Sequence, residues 1–200
     1  MNIFSKLAPI FCMALIQLSA VAAPIVDQEN PVRIAGFCFL NDSFKCGQSF
    51  RQDHNNISGA GFYVDPGYGD GSSGTITLSI FSTYNGGAPT GLIASGTAAN
   101  IDRNTGWVDV FFAPAALTPD NQYYLIIQAT NSIVASYGNP IYADGNAVYV
   151  GSETAYRNYD LTFRTYYDTN AGTVPEPASL ALLGLGIAGL GFARRKRRTK

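Results

Sequence analysis

The chain has 200 residues and a formal net charge of −1, with 46% hydrophobic and 14% charged residues. Six of the 13 basic residues fall in the last seven positions, so residues 23–173 carry six basic against thirteen acidic residues, a net of −7. A body of that sign lacks the clustered cations that phosphate binding needs, which excludes nucleic acid as its partner.

The first 22 residues read as a signal peptide. Lys6 lies in a short polar start, Leu7 to Leu18 is apolar apart from Gln17, and Ala20 and Ala22 give the small-x-small pattern of a signal-peptidase site. The cut falls after Ala22, since a cut after Ala23 would put Pro24 at the first mature position. Export brings Cys38 and Cys46 into an oxidising compartment, where they are expected to form a disulfide closing a β-hairpin.

Residues 23–173 form one domain, rich in Gly, Ser, Thr, Asn, Tyr and Val, with no sustained helical period. Short alternating runs between turn residues predict an all-β fold, an antiparallel β-sandwich. Ile57 to Val64 is a strand, and Asp65 to Gly74 a loop of turn formers. Gly74 to Tyr84 is the clearest strand, with Ile76, Leu78 and Ile80 on one face and Thr75, Thr77 and Ser79 on the other. Asn85 to Gly91 reads as a loop before a short LIASGTAANI strand. In GWVDVFFAP, Val108, Val110 and Phe112 share one face and Trp107, Asp109 and Phe111 the other. Leu117 to Gln122 is a turn into YYLIIQA, a central strand buried on both faces. SIVASYG, NAVYVG and Tyr159 to Asp168 complete the domain, and Thr169 to Val174 is a linker.

Residues 174–200 are a second signal. Between Pro177 and Arg194 the apolar run Ala178 to Ala193 makes a helix of about 24 Å, short of a hydrocarbon core of about 30 Å. The basic block behind it holds the C-terminus in the cytoplasm and leaves the body outside. Val174, Pro175, Glu176 and Pro177, followed by that apolar run and Arg194 to Lys200, closely resemble the PEP-CTERM sorting signal. The resemblance implies recognition and removal by an exosortase in the inner membrane of a Gram-negative bacterium. It implies delivery of the body to the cell surface or an exopolysaccharide matrix. The membrane is then a transient partner through residues 178–193.

The body also resembles secreted bacterial jelly-roll-like β-sandwich domains, often found beside such sorting signals. The matching pieces are Gly47-Gln48-Ser49-Phe50, Leu78 to Gly96, Leu117 to Ile127 and Asp160 to Tyr166. This resemblance implies fold more than activity.

No catalytic set stands out. His54 is the one histidine and reads as a solvated loop residue. No G-x-S-x-G or H-E-x-x-H occurs. No cofactor is expected; a structural calcium on Asp65 and Asp70 is the alternative to a plain surface loop. Sugar binding needs aromatic faces beside polar groups; Tyr137, Tyr142, Tyr149, Tyr156, Tyr159, Tyr166 and Tyr167 crowd the last third of the body beside Asn139, Asp144, Asn146 and Asn158, so any glycan site is expected there and not on the 74–84 strand. The expected function is that of an exported, non-enzymatic structural or adhesive component of the polysaccharide-rich envelope. A carbohydrate-binding module is the alternative, and a secreted hydrolase a more distant one.

Overall fold

The structure, a computed structural model, describes residues 23–138, 142–151 and 159–170, with backbone alone at 35–37. The signal peptide 1–22, the sorting motif 174–177, the helix expected at 178–193 and Tyr156 lie outside the described residues.

All regular structure in the described residues is β. Four strands make one antiparallel sheet: β1 (Ile25–Asn30), β12 (Phe163–Tyr167), β4 (Asn56–Tyr63) and β7 (Trp107–Ala116), in the order β1-β12-β4-β7. Five make a second: β10 (Ala147–Tyr149), β3 (Cys46–Arg51), β8 (Gln122–Ala129), β5 (Gly74–Asn85) and β6 (Ala88–Ile101), in the order β10-β3-β8-β5-β6. The chain crosses between the two sheets from β3 to β4, β4 to β5, β6 to β7 and β7 to β8. That alternation, with the last strand set between the first and the fourth, is the double Greek key of a jelly roll. The insertions β2 (Arg33–Leu40), β9 (Ile133–Gly138) and β11 (Asp160–Leu161) add a three-stranded sheet in the order β11-β9-β2.

Period-two alternation decides which faces meet. Ile76, Leu78 and Ile80 on β5 and Leu125 and Ile127 on β8 are fully buried, as are Phe62 on β4 and Phe163 on β12. Phe50 of β3 reaches across to Phe163, ring centroids 6.4 Å apart, so the two large sheets share one core. Burying each such side chain contributes about 1.5–3 kcal/mol. β8 is central, as its YYLIIQA run predicts.

Three local features differ from the sequence expectation. The expected loop at 85–91 is only a two-residue turn: Gly86 and Gly87 take positive φ, and Asn85 pairs with Ala88. Two such residues suit the tight hairpin turn whose twist matches its strands. The Cys38–Cys46 disulfide is present, with Cα atoms 6.4 Å apart. It does not close a ladder-paired hairpin: β2 pairs with β9, whereas β3 pairs with β8 and β10, so the bridge staples one sheet to another. The run from Asp160 to Tyr167 bends at Thr162, whose N–H donates to Ser136 O at 2.8 Å while its own carbonyl accepts from Tyr63 N–H at 3.0 Å. This bend hands the chain from β9 to β4.

Candidate functional site

The tyrosine-rich end proposed for sugar contacts is mostly committed to internal bonds. Tyr137 is buried; its hydroxyl meets that of Tyr149 at 2.8 Å, and its ring stacks on Tyr159 at 4.9 Å. Tyr84, from the strand expected to play no part, donates to Tyr149 O and stacks on Tyr124 at 5.5 Å. Tyr142 donates to Gln28 Oε1 at 2.8 Å and packs edge-on against Phe163 at 5.1 Å. Burial pushes its hydroxyl up to about 12. Only Tyr159, at 44%, is largely exposed among the described tyrosines proposed for sugar contact.

Beneath this end lies a buried polar pin that joins two of the motifs carrying the sequence resemblance. Gln48 Nε2 donates to Asp160 Oδ1 at 2.6 Å, and Leu161 N–H donates back to Gln48 Oε1 at 2.8 Å. Tyr142 N–H donates to the second Asp160 oxygen at 2.9 Å. Both side chains are fully buried, and burial raises the Asp160 carboxyl above its ordinary value. The GQSF and DLTFRTY segments are thus bound to each other, a structural role that the spacing in sequence does not disclose.

The two candidate calcium ligands hold different partners. Asp65 is buried, accepts from Ser136 Oγ at 2.9 Å and faces Arg33 Nη1 at 3.4 Å. Asp70 is exposed and accepts from the Ser72 hydroxyl at 2.6 Å and its N–H at 2.9 Å, bonds that hold its carboxyl below the usual range. It borders a groove of about 400 Å³ that Asn41, Asp42, Phe44 and Asn131 also line. Among the described residues no cluster of three or more His, Cys, Asp or Glu side chains could hold a metal ion.

His54 is an exposed loop residue, as its context suggests, yet it holds two partners. Its Nδ1 contacts Asp27 Oδ1, and its ring stacks on Tyr167 at 3.5 Å. The Asp27 side chain is 1% exposed and accepts from Asp53 N–H at 3.0 Å. The pair ties the loop after β3 to the first and last strands.

The outward face of β1-β12-β4-β7 holds a more organised cluster, of which sequence reasoning pointed only to Tyr166. Gly59 and Gly61 of β4 sit between Phe111 and Asp109 of β7 on one side and Tyr166 and Arg164 of β12 on the other. With no side chain on the middle strand, the neighbours lie across it. A Cβ on Gly59 would stand 2.6 Å from Phe111 Cδ1, and one on Gly61 would strike the Asp109 carboxylate. Arg164 grips Asp109 through two nitrogens, Nε to Oδ1 at 2.7 Å and Nη2 to Oδ2. Tyr166 Oη adds a donor to Asp109 Oδ1 at 2.8 Å. The guanidinium carbon stands 4.1 Å over the Trp107 ring, whose edge contact to Tyr63 is 5.6 Å. Phe111 leans on Tyr166 at 5.0 Å and is 53% exposed. The bond to Asp109 raises the Arg164 pKa, and burial followed by the same carboxylate raises that of Tyr166. Such bidentate pairs fix orientation as well as charge. The signal available in sequence was the alternation of Trp107, Asp109 and Phe111; the partners across the sheet come from 40 to 60 residues away.

Residues 173–198 match the PEP-CTERM protein-sorting motif. No curated protein matches the chain. The chain is therefore an all-β body carrying an exosortase sorting signal, processed at a membrane and exported to the cell surface.

Proposed function

We propose that the protein is a non-enzymatic structural or adhesive component of the extracellular polysaccharide matrix of a Gram-negative bacterium. In this reading a signal peptidase removes residues 1–22, and the chain passes through an inner-membrane intermediate held by residues 178–193. The exosortase then cuts near Pro175–Pro177. The observation that carries the reading is the sorting motif itself. The state of the body's reactive groups agrees with it: Asp160 is tied to Gln48, Asp109 to Arg164, Asp65 to Ser136 and His54 to Asp27. Intact mass of the protein from its native host tests the reading. The expected mass lacks both 1–22 and the tail beyond the motif. Full-length, membrane-embedded protein still ending in Arg194 to Lys200, in a host with active exosortase, overturns it.

A carbohydrate-binding module is the second reading. The outward cluster of Trp107, Phe111, Arg164 and Asp109 favours it, because flat rings beside fixed donors and acceptors suit a hydroxyl-rich ring.

A further inference from the structure

We infer that the outward face of β1-β12-β4-β7 is a track for a neutral polysaccharide strand, centred on Trp107, Asp109–Arg164 and Phe111. The inference rests on the carbohydrate-binding reading and places the site away from the tyrosine-rich end.

An ordinary outward sheet face carries polar side chains of small consequence. This one carries a tryptophan and an arginine, types that dominate binding energy where they are found on surfaces, and an exposed phenylalanine backed by buried Tyr166. They are also held still. Asp109 fixes Arg164 and Tyr166, Arg164 lies on Trp107, and Tyr166 supports Phe111. Ordering these rotamers is done in folding, so binding does not incur that cost again. The glycines of β4 keep the centre of the face low.

Charge and spacing choose the occupant. Asp109 and Arg164 neutralise each other, and exposed Glu29, opposite Arg164 on β1, adds one negative charge, so the centre repels a phosphate, a sulfate or a uronic acid. It still offers hydrogen-bonding groups of both kinds: the two side chains are only about a quarter exposed, at 22% and 24%. Hydroxyl-bearing rings need that mixture of donors and acceptors. Trp107 and Phe111 are four residues apart on one strand face, about 13 Å at about 3.3 Å per residue. Two aromatic supports at that separation, with a polar pair between them, suit an extended chain of sugar rings better than a single small molecule. A protein partner would call for a contiguous apolar centre, which the ion pair interrupts.

Trp107 is the one tryptophan of the chain, so emission excited selectively in tryptophan reports on this face. The experiment titrates the mature protein recovered from its host with soluble neutral polysaccharides (a β-glucan, a galactomannan and a xylan) and with alginate as the anionic control. Binding is measured in parallel by affinity electrophoresis. A neutral polysaccharide is expected to change Trp107 emission with an affinity insensitive to salt, and alginate is not. Phe111→Leu keeps apolar volume but removes the ring, and should weaken binding about tenfold with unchanged thermal unfolding. Phe111→Tyr should retain it. If Tyr159→Ala abolishes binding while Phe111→Leu leaves it intact, this placement fails and the carbohydrate-binding reading survives. If no neutral polysaccharide retards the protein, both fail. Emission that varies with protein concentration, and loses that dependence in Phe111→Leu, would make the face an interface between copies and overturn the proposal.

Discussion

At one end of the body Tyr137, Tyr149 and Tyr159 hold one another and sit over the Gln48–Asp160 pin. On the four-stranded sheet Trp107, Phe111 and Arg164 are also fixed by a carboxylate, but they turn outward. The two regions use similar residues to opposite ends. In the first, hydroxyls bond to protein and little ring surface is left for a ligand. In the second, one acidic side chain orients its neighbours and leaves their outer surfaces available. Aromatic inventory alone does not separate the cases; the partners of the hydroxyls and the carboxylates do.

The contrast makes the tyrosine end a stability element, and breaking it should show that. The largest effect is expected from Asp160→Ala, which strips acceptors from Gln48 Nε2 and Tyr142 N–H in a fully buried site. At about 1–3 kcal/mol for each orphaned donor, a loss of about 3–5 kcal/mol is expected in urea unfolding. A loss under about 1 kcal/mol would mean that water reaches the pin. The pH dependence follows from the raised carboxyl pKa. Folding favours the protonated acid, so its contribution is fully present below the unfolded value of 3.8 and is lost as pH rises through the folded value. Asp160→Asn does not titrate. Its stability deficit against the unsubstituted protein should therefore be largest at low pH and shrink as pH rises; a deficit independent of pH would remove the burial argument.

Next in size is the staple between β2 and β3. Replacing Cys38 and Cys46 together by serine should cost about 2–3 kcal/mol by the loop-entropy argument for a separation of 8 residues. Calorimetry of the oxidised protein against the double variant measures it, and equal melting temperatures would contradict the expectation. Smallest is Tyr149→Phe, which removes one partner of the Tyr137 hydroxyl pair. A loss of about 1 kcal/mol is expected, with Trp107 emission unchanged. A change in emission would join the two regions and blur the distinction between them.

Much of the fold is legible where alternation is clean. Ile76, Leu78 and Ile80 announce β5, and Val108 and Val110 announce β7. β1 is silent because the side chains it buries are polar: Asn30, opposite Phe163, and Asp27, whose carboxylate meets Asp53 N–H and His54. β6 reads as a loop at its start because Pro89 and Gly91 are turn formers by type, and Gly91 does take a positive φ within the strand. The candidate face was half legible. Trp107, Asp109 and Phe111 share a side by period two, but nothing local says that Gly61 leaves room for Arg164 to cross β4. The sorting tail was legible throughout, since its parts are read in linear order and need no tertiary partner.

The pairing of β1 with β12 has a consequence for the order of events during export. Ile25 lies opposite Tyr167, and the last strand is inserted between the first strand and β4. A chain threaded outward from its N-terminus presents β1 and β4 long before Phe163–Tyr167 emerge. Until then β1 has no ladder, β4 is open along one side, and Asp109 lacks Arg164. The β4-β7 ladder is available first, and the four-stranded sheet, with the face that depends on it, is completed only once β12 emerges just ahead of the sorting tail.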